Sequence, residues 1–382
     1  MSGQVTARMQ AIAIRPRVPS SIHARQVPRP SIDDVPGGHG VLVRVLMVGL
    51  CGTDGEILEG LFGTAPEGDD HLIIGHESLG LVAAAGPAVP AELGPGTLVV
   101  ATVRRPGHSL YDQLGMQDFT TEAARERGIN LLHGFLSEYY VDDAAYLVSL
   151  PPGLSGVGVL LEPMSIVEKG LRQADEIQRR LRIWRPTRAA VIGAGTIGLL
   201  TTLILRLRGV EVTVLSRRPR PYLNSDLAEG LGATYRSTAD TTLAHASEAH
   251  GPFNIIFEAS GFSPLAFEAA RVLAPNVVLV LAGVTGGEMR MEVDSNAINQ
   301  GFVLGNKVMV GTVNASRADF VRGVEDMLGA EASHPGWLNR LLTTPIDGLG
   351  NPAGIRAALD DNDAIKPYVE IHRTDLDPAG RQ

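Results

Sequence analysis

The sequence predicts an α/β protein of two domains, a compact β-barrel-like unit and a doubly wound parallel sheet. Three observations carry that expectation. At 382 residues the chain is too long for one ordinary core. Its first third is broken into short apolar runs bounded by Gly, Pro or Asp. Its middle alternates continuous Val/Ile/Leu strands with helical segments, the pattern of a parallel sheet covered on both faces.

The early runs are AIAI at 11, VLVRVLMVG at 41, LIIG at 72, LGLVAAAG at 79 and GTLVVATV at 96. Many short strands with Gly/Pro turns build barrel-like units. Residues 104–130, RRPGHSLYDQLGMQDFTTEAARERGIN, are polar and irregular and read as a long loop or lobe, a length usually tied to function. LEPMSIVEKGLRQADEIQRRL, residues 161–181, has the apolar spacing of a connecting helix. Strand and helix then alternate through RAAVIGAG, a helix to Arg208, VEVTVLS, a helix around SDLAEGLG, FNIIFEASG, a further helix, VVLVLAGV and KVMVGTV. From about Ser316 helical segments lead to AIKPYVEI as a last strand. The simplest architecture is a barrel-like domain that the chain leaves and later rejoins.

Hydrophobic residues make up 44% and charged residues 20%, as in a soluble globular protein. No apolar run reaches the roughly 20 residues that span a bilayer. MSGQVTARMQAIAIRPRV has no charged start, apolar middle and small-residue cleavage site, so a cytoplasmic location is expected. A net charge of −9 without a Lys/Arg cluster argues against nucleic-acid and membrane-surface partners. Only Lys169, Lys307 and Lys366 are lysines, which carries no functional weight. The single cysteine, Cys51, excludes an internal disulfide and a multi-cysteine zinc ribbon. Composition alone favours burial of that thiol as a small apolar group.

Gly193, Gly195 and Gly198 stand in G-x-G-x-x-G spacing between a strand and a helix, and lead into VEVTVLS. Gly193 permits the tight turn, Gly195 lets a pyrophosphate approach the backbone, and Gly198 lets helix and strand pack closely. The phosphates then rest on the helix N-terminus. The second strand ends in Ser216, Arg217 and Arg218, where NAD enzymes carry an acid that would repel a 2′-phosphate. A hydroxyl with two guanidiniums suits that phosphate, so NADP is expected, with NAD tolerated.

Cys51 opens CGTD, and His76 and Glu77 sit in IIGHESLG between apolar strands, while Glu162 precedes Pro163 at the domain junction. Thiolate, imidazole and carboxylate are the ligand types zinc takes. Together with the dinucleotide motif, CGTD, GHExxG and GxGxxG stand in the order of the zinc-dependent medium-chain dehydrogenase/reductase superfamily, which the sequence resembles over essentially its whole length. Within it the chain is most similar to archaeal and bacterial glucose (aldose) 1-dehydrogenases, through CGTDGEI, IIGHESLGLV, ERGI…HGFLSEYYVDDAAYLVSLP, LEPMSIVEKGL and VLSRRP.

The resemblance implies a GroES-like β-barrel catalytic domain over 1–165 and 316–382 and a Rossmann domain over 166–315. It implies that Cys51 and His76 ligate one catalytic zinc, with Glu162 a further ligand and Glu77 an alternating or outer one. Cys51 thiolate, neutral His76 and ionised Glu162 would cancel the charge of the zinc ion. Asp54 is expected to accept from the other imidazole nitrogen of His76. Thr53 is expected to hydrogen-bond the reacting hydroxyl and pass on its proton, or alternatively to cap its turn. Thr196, Ile197 and Asn314 join the glycines and arginines in the expected cofactor contacts, and Glu126 matches a glutamate that accepts from sugar hydroxyls. A homodimer or homotetramer paired through edge strands is implied, with VVLVLAGV as the apolar run that could serve.

The sequence also departs from that pattern. The lobe at 104–130 holds no cysteine, so no Cys₄ structural zinc forms, and His108 and His133 are too few to replace it. Val103 stands where relatives carry an Asn before the Arg104–Arg105 pair, and Ile166 where some carry an acid. A pocket with fewer hydroxyl partners should hold a hydroxyl-rich sugar less specifically. The expected reaction is zinc-assisted oxidation of an aldose to its lactone with hydride transfer to NADP. An alcohol, polyol or cyclitol substrate, carbonyl reduction, a zinc-free reductase of the same superfamily and a non-catalytic NADPH-binding protein remain open alternatives.

Overall fold

The computed structural model describes residues 7–284 and 288–372, with the side chain of His250 excepted. The ends of the expected catalytic domain, 1–6 and 373–382, lie outside the described residues. Contacts divide the chain into two compact units, Met1–Glu162 with Ala315–Met327 and Leu338–Gln382, and Pro163–Asn314 with Leu328–Trp337.

The first unit begins with β1 (Arg8–Ile14), β2 (His23–Pro28), β3 (Gly40–Gly49), α1 (Gly52–Leu58), β4 (Leu72–Ile73), β5 (Glu77–Ala85) and β6 (Leu98–Ala101). It continues through β7 (Arg104–Arg105), α2 (Leu110–Gln113), β8 (Arg125–Arg127), β9 (Leu131–Leu132), β10 (Tyr139–Asp143) and β11 (Leu147–Leu150). The helix α3 (Leu161–Gln178) then leads into the second unit. There follow β12 (Arg188–Ile192), α4 (Thr196–Leu207), β13 (Glu211–Ser216), α5 (Leu223–Gly230), β14 (Thr234–Ser237), α6 (Leu243–His250) and β15 (Ile255–Glu258). After these come α7 (Ser263–Val272), β16 (Val278–Leu281), α8 (Ser295–Gly305), β17 (Val308–Gly311) and α9 (Arg317–Ser333). The chain closes the first unit with β18 (Leu342–Asp347), α10 (Pro352–Asp360) and β19 (Lys366–Glu370).

In the first unit a seven-stranded sheet runs β11-β6-β5-β3-β19-β18, with β10 also paired to β3. β3 lies at its centre because VLVRVLMVG is apolar on both faces, and Val41, Val43, Val45 and Val48 enter the main core. Its end meets two neighbours at once. Gly49 is opposite Glu77 on β5 and opposite Tyr368 on β19. These pairings bring the first residues of β5 and β19 to the turn that leaves β3 for α1.

The lobe at 104–130 is more ordered than its polar composition suggests. β7 pairs antiparallel with β8, and β8 pairs with β9. Arg104 and Arg105 are buried rather than solvated, Arg104 on Glu126 and Arg105 on Asp142, which also takes Arg127 at 3.0 Å. Beyond them Asp112 gathers Ser109 Oγ at 2.6 Å and Thr120 Oγ1 at 2.7 Å, tying this part of the lobe together.

The second unit is a six-stranded parallel sheet in the order β14-β13-β12-β15-β16-β17. From β12 the chain runs outward through β13 and β14, then returns to lay β15 on the other side. Ligands of such sheets bind at the carboxyl ends of strands where that reversal occurs. The expected edge strand is corrected here. VVLVLAGV forms β16, which is paired on both sides, by β15 and β17, and the edge on that side is β17. A second departure is that Leu328–Trp337, expected with the catalytic domain, joins the second unit. Trp337 Nε1 fastens it by donating to Leu227 O at 3.0 Å.

Candidate metal centre and dinucleotide cradle

Cys51 sits at the N-cap of α1, held by its own amide, which donates to Asp54 Oδ2 at 3.0 Å. Its Sγ lies 3.3 Å from His76 Nε2. The donor atoms of Cys51, His76 and Glu77 all lie within 4.8 Å of one another, the one such group among the described residues. Three strands explain this convergence. β3 leads to Cys51, β5 begins with Glu77 just after His76, and β19 begins with Lys366, a residue with no role expected from the sequence.

Lys366 Nζ lies 2.6 and 2.7 Å from the two oxygens of Glu77 and donates to Leu50 O at 3.2 Å. Both residues are 1% exposed. Burial works against the ammonium, but Glu77 and then Cys51 hold it protonated, above its ordinary value. The carboxylate therefore has a fixed cation on one side and the Cys51–His76 pair on the other. The only signal in the sequence was one of three lysines standing at the start of a short strand.

On the far side of the imidazole, His76 Nδ1 faces Asp54 Oδ1 at 3.6 Å, and neither atom has a hydrogen-bond partner within range. Asp54 thus takes the expected place, with a looser contact than expected. Burial pushes His76 down, while Cys51 and Asp54 push it up more strongly, to well above its ordinary value. Thiolate, imidazole and carboxylate fit zinc, and Asp54 stands where it would orient the ring.

Glu162 lies at the start of α3 and is buried. Burial pushes its carboxyl up to about 7, with His76 drawing it down and Glu77 pushing it up. It therefore shares the charge environment of the cluster, though its oxygens are not among those within 4.8 Å. Thr53 is half-buried in the first turn of α1, where Cys51 is the N-cap and donates its N–H to Asp54 Oδ2. Glu126 is not brought to the cluster. It is a β8 residue whose Oε1 accepts from Arg104 Nη2 at 2.7 Å and Nε at 3.1 Å. Val103 beside that pair is 1% exposed and belongs to the core.

In the second unit Gly193 follows β12 with φ 102°. A Cβ there would come within 2.8 Å of Ala259 O, so only glycine makes this turn. A Cβ on Gly198 would strike Gly193 O, which is how closely α4 sits on the turn. Gly195, the N-cap of α4, is the opposite case: nothing lies within 4 Å of its Cβ position. Thr196 and Ile197 form the half-buried first turn of α4, the helix end at which an anion is favoured. Ser216 ends β13 half-buried, and Arg217 and Arg218 follow it exposed. Asn314 is buried just after β17, with φ 57°, a conformation asparagine tolerates.

Comparisons with known proteins agree with this arrangement. Residues 37–152 match the alcohol dehydrogenase GroES-like domain, and residues 155–371 match the glucose dehydrogenase C-terminus. The chain is 41% identical over 366 residues to glucose 1-dehydrogenase of Methanocella arvoryzae, covering 95% of this chain and 99% of that one. It is 41% identical over 337 residues to glucose 1-dehydrogenase of Thermoproteus tenax, covering 88% and 92%. Among solved structures, Haloferax mediterranei glucose dehydrogenase in complex with NADP, zinc and gluconolactone is similar, with a TM-score of 0.85 and 35% identity over 96% of this chain and 100% of that one. An alcohol dehydrogenase of Thermotoga maritima shares the fold at 20% identity, with a TM-score of 0.79 over 96% of this chain and 100% of that one. The chain belongs to the glucose 1-dehydrogenase family of the zinc-dependent medium-chain dehydrogenases/reductases.

Proposed function

We propose that the protein oxidises the anomeric hydroxyl of an aldose to the lactone, using one zinc ion and NADP. The observation that carries this reading is the convergence of Cys51, His76 and Glu77 within 4.8 Å in a member of this family. Cys51, His76 and Glu162 are assigned as zinc ligands, and Glu77, held back by Lys366, as the alternate. A zinc ion held by these residues would supply Lewis acidity that lowers the pKa of the substrate hydroxyl. Thr53, two residues beyond Cys51, would accept a hydrogen bond from that hydroxyl and pass its proton to solvent. NADP⁺ would supply the hydride acceptor, so that aldose and NADP⁺ would give lactone, NADPH and a proton.

The glycine turn and the first turn of α4, with Thr196 and Ile197, receive the pyrophosphate, Ser216, Arg217 and Arg218 the 2′-phosphate, and Asn314 a further part of the nucleotide. Glu126 remains assigned to sugar hydroxyls, but its bond to Arg104 makes it a weaker acceptor for them. With Val103 and Ile166 replacing polar groups, the reading favours tolerance among aldoses over strict selection of glucose.

No helix among the described residues is long and apolar enough to cross a membrane. We place the enzyme in the cytoplasm, where a lone thiolate stays reduced. We also assign it a homodimeric or homotetrameric state. The outer edge of β17 supports this, because Met309 on it and Val303 and Leu304 on α8 are exposed apolar side chains.

The test is NADPH formation by zinc-loaded protein across aldoses, polyols and cyclitols, with D-glucose first and NAD⁺ in parallel. Turnover of glucose or a close epimer is expected. Turnover of only non-sugar alcohols, with nucleotide and zinc bound, would overturn the aldose assignment.

A further inference from the structure

Arg218 is exposed, and exposed arginines usually sample many conformations, which weakens any contact they make. Here both ends of the residue are held. Its carbonyl accepts from the phenol of Tyr235 at 2.6 Å, and its guanidinium carbon lies 4.8 Å from the ring centroid of Tyr222. The two phenols meet at 2.9 Å. Because the one proton of Tyr235 goes to Arg218 O, Tyr222 donates to Tyr235. Their rings cross edge to face at 5.8 Å and 75°. Tyr235 is 1% exposed, so the anchor belongs to the rigid part of the sheet. Arg217 is treated alike: its carbonyl accepts from Ser237 Oγ at 3.0 Å, and Ser237 pairs with Ser216 across β13 and β14.

From this geometry we infer that Tyr235 and Tyr222 are positioning residues for nucleotide choice, fixing Arg218 at the end of β13 so that it selects a 2′-phosphate. The inference rests on the NADP reading above. Backbone carbonyls tied to buried hydroxyls keep the loop from turning the guanidiniums away, and the Tyr222 face holds the cation at one side of the strand end. Pre-arranged cations lose less entropy when the phosphate binds, so the benefit falls on 2′-phosphorylated ligands alone.

The experiment measures dissociation constants of 2′,5′-ADP and 5′-AMP by titration calorimetry on the full chain, which requires neither zinc nor turnover. Arg218→Ala comes first: it should weaken 2′,5′-ADP selectively, and equal loss of both ligands would remove the NADP reading itself. Given a selective loss there, Tyr235→Phe should weaken 2′,5′-ADP roughly fivefold while 5′-AMP changes less than about twofold. In an Arg218→Ala background the same change should alter neither ligand's preference, because the residues act through one another. Tyr222→Leu, at a half-exposed site, should lower the preference about threefold and decides the matter if Tyr235→Phe does not fold. An unchanged preference in the folded tyrosine variants, beside a selective Arg218→Ala, would overturn the inference and leave the NADP reading standing.

Discussion

Lys366 Nζ grips both carboxylate oxygens of Glu77, at 2.6 and 2.7 Å, inside a cluster that also contains Cys51 and His76. A buried carboxylate with one fixed cation depends on that cation, and removing one partner of a buried pair costs about 3–5 kcal/mol. Lys366→Met should therefore lower the melting temperature of the metal-free protein sharply. Zinc at the cluster would supply a replacement positive charge, so the rise in melting temperature on adding zinc should be larger in the variant than in the wild type. Equal rises in thermal melts with and without zinc would mean that Glu77 and the metal do not share charge.

Cys51→Ser tests the centre itself. Serine keeps the N-cap geometry and the amide bond to Asp54 but replaces a thiolate with a hydroxyl that zinc holds weakly. Zinc content after dialysis and dehydrogenase activity should fall together by at least about tenfold, with NADP affinity unchanged. Activity that survives loss of metal would favour a zinc-free reductase. Loss of metal without any activity to lose would favour a nucleotide-binding protein.

Much of this was legible because the signals are local. Continuous apolar strands announced the parallel sheet, and the glycine spacing around Gly193 located the turn after β12. Lys366 was not legible, because its meaning comes from β19 lying beside β3, which joins residues 289 positions apart. The Arg104–Glu126 pair was hidden for the same reason: each residue alone looks like a solvated charge, and only the β7–β8 register makes the two a buried pair. Hydrophobicity singled out VVLVLAGV as an exposed edge, yet high hydrophobicity marks strands covered on every side. The edge beyond it, β17, alternates half-buried and exposed residues.

The glycines of the nucleotide turn should separate folding from binding. Gly195 has open space where a Cβ would go, so Gly195→Val should leave the melting temperature near that of the wild type and abolish binding of NADP and NAD alike. Gly193→Ala places a methyl against the Ala259 peptide in a φ > 0 turn and should destabilise the protein by about 1–3 kcal/mol as well as weaken binding. Thermal melts paired with nucleotide titration check both. Retained nucleotide affinity in folded Gly195→Val would move the pyrophosphate elsewhere.

Asp142 sets an acid limit to stability. Burial raises its carboxyl pKa, but Arg105 and Arg127 beside it lower it more, leaving it below the ordinary 3.8. A depressed folded value means the unfolded chain binds the proton first. The stabilisation is thus fully present above about pH 5 and drains as pH falls through 3.8 toward the folded value. Asp142→Asn keeps the shape but leaves the buried Arg105 and the half-buried Arg127 without their anion, at a cost of about 3–5 kcal/mol near neutral pH. Because the amide has no proton to gain, the gap between variant and wild type should narrow as the acid limb is descended. Urea unfolding at a series of pH values measures this gap, and a constant difference down to pH values well below 3.8 would show that the carboxylate's charge is not what holds Arg105 and Arg127.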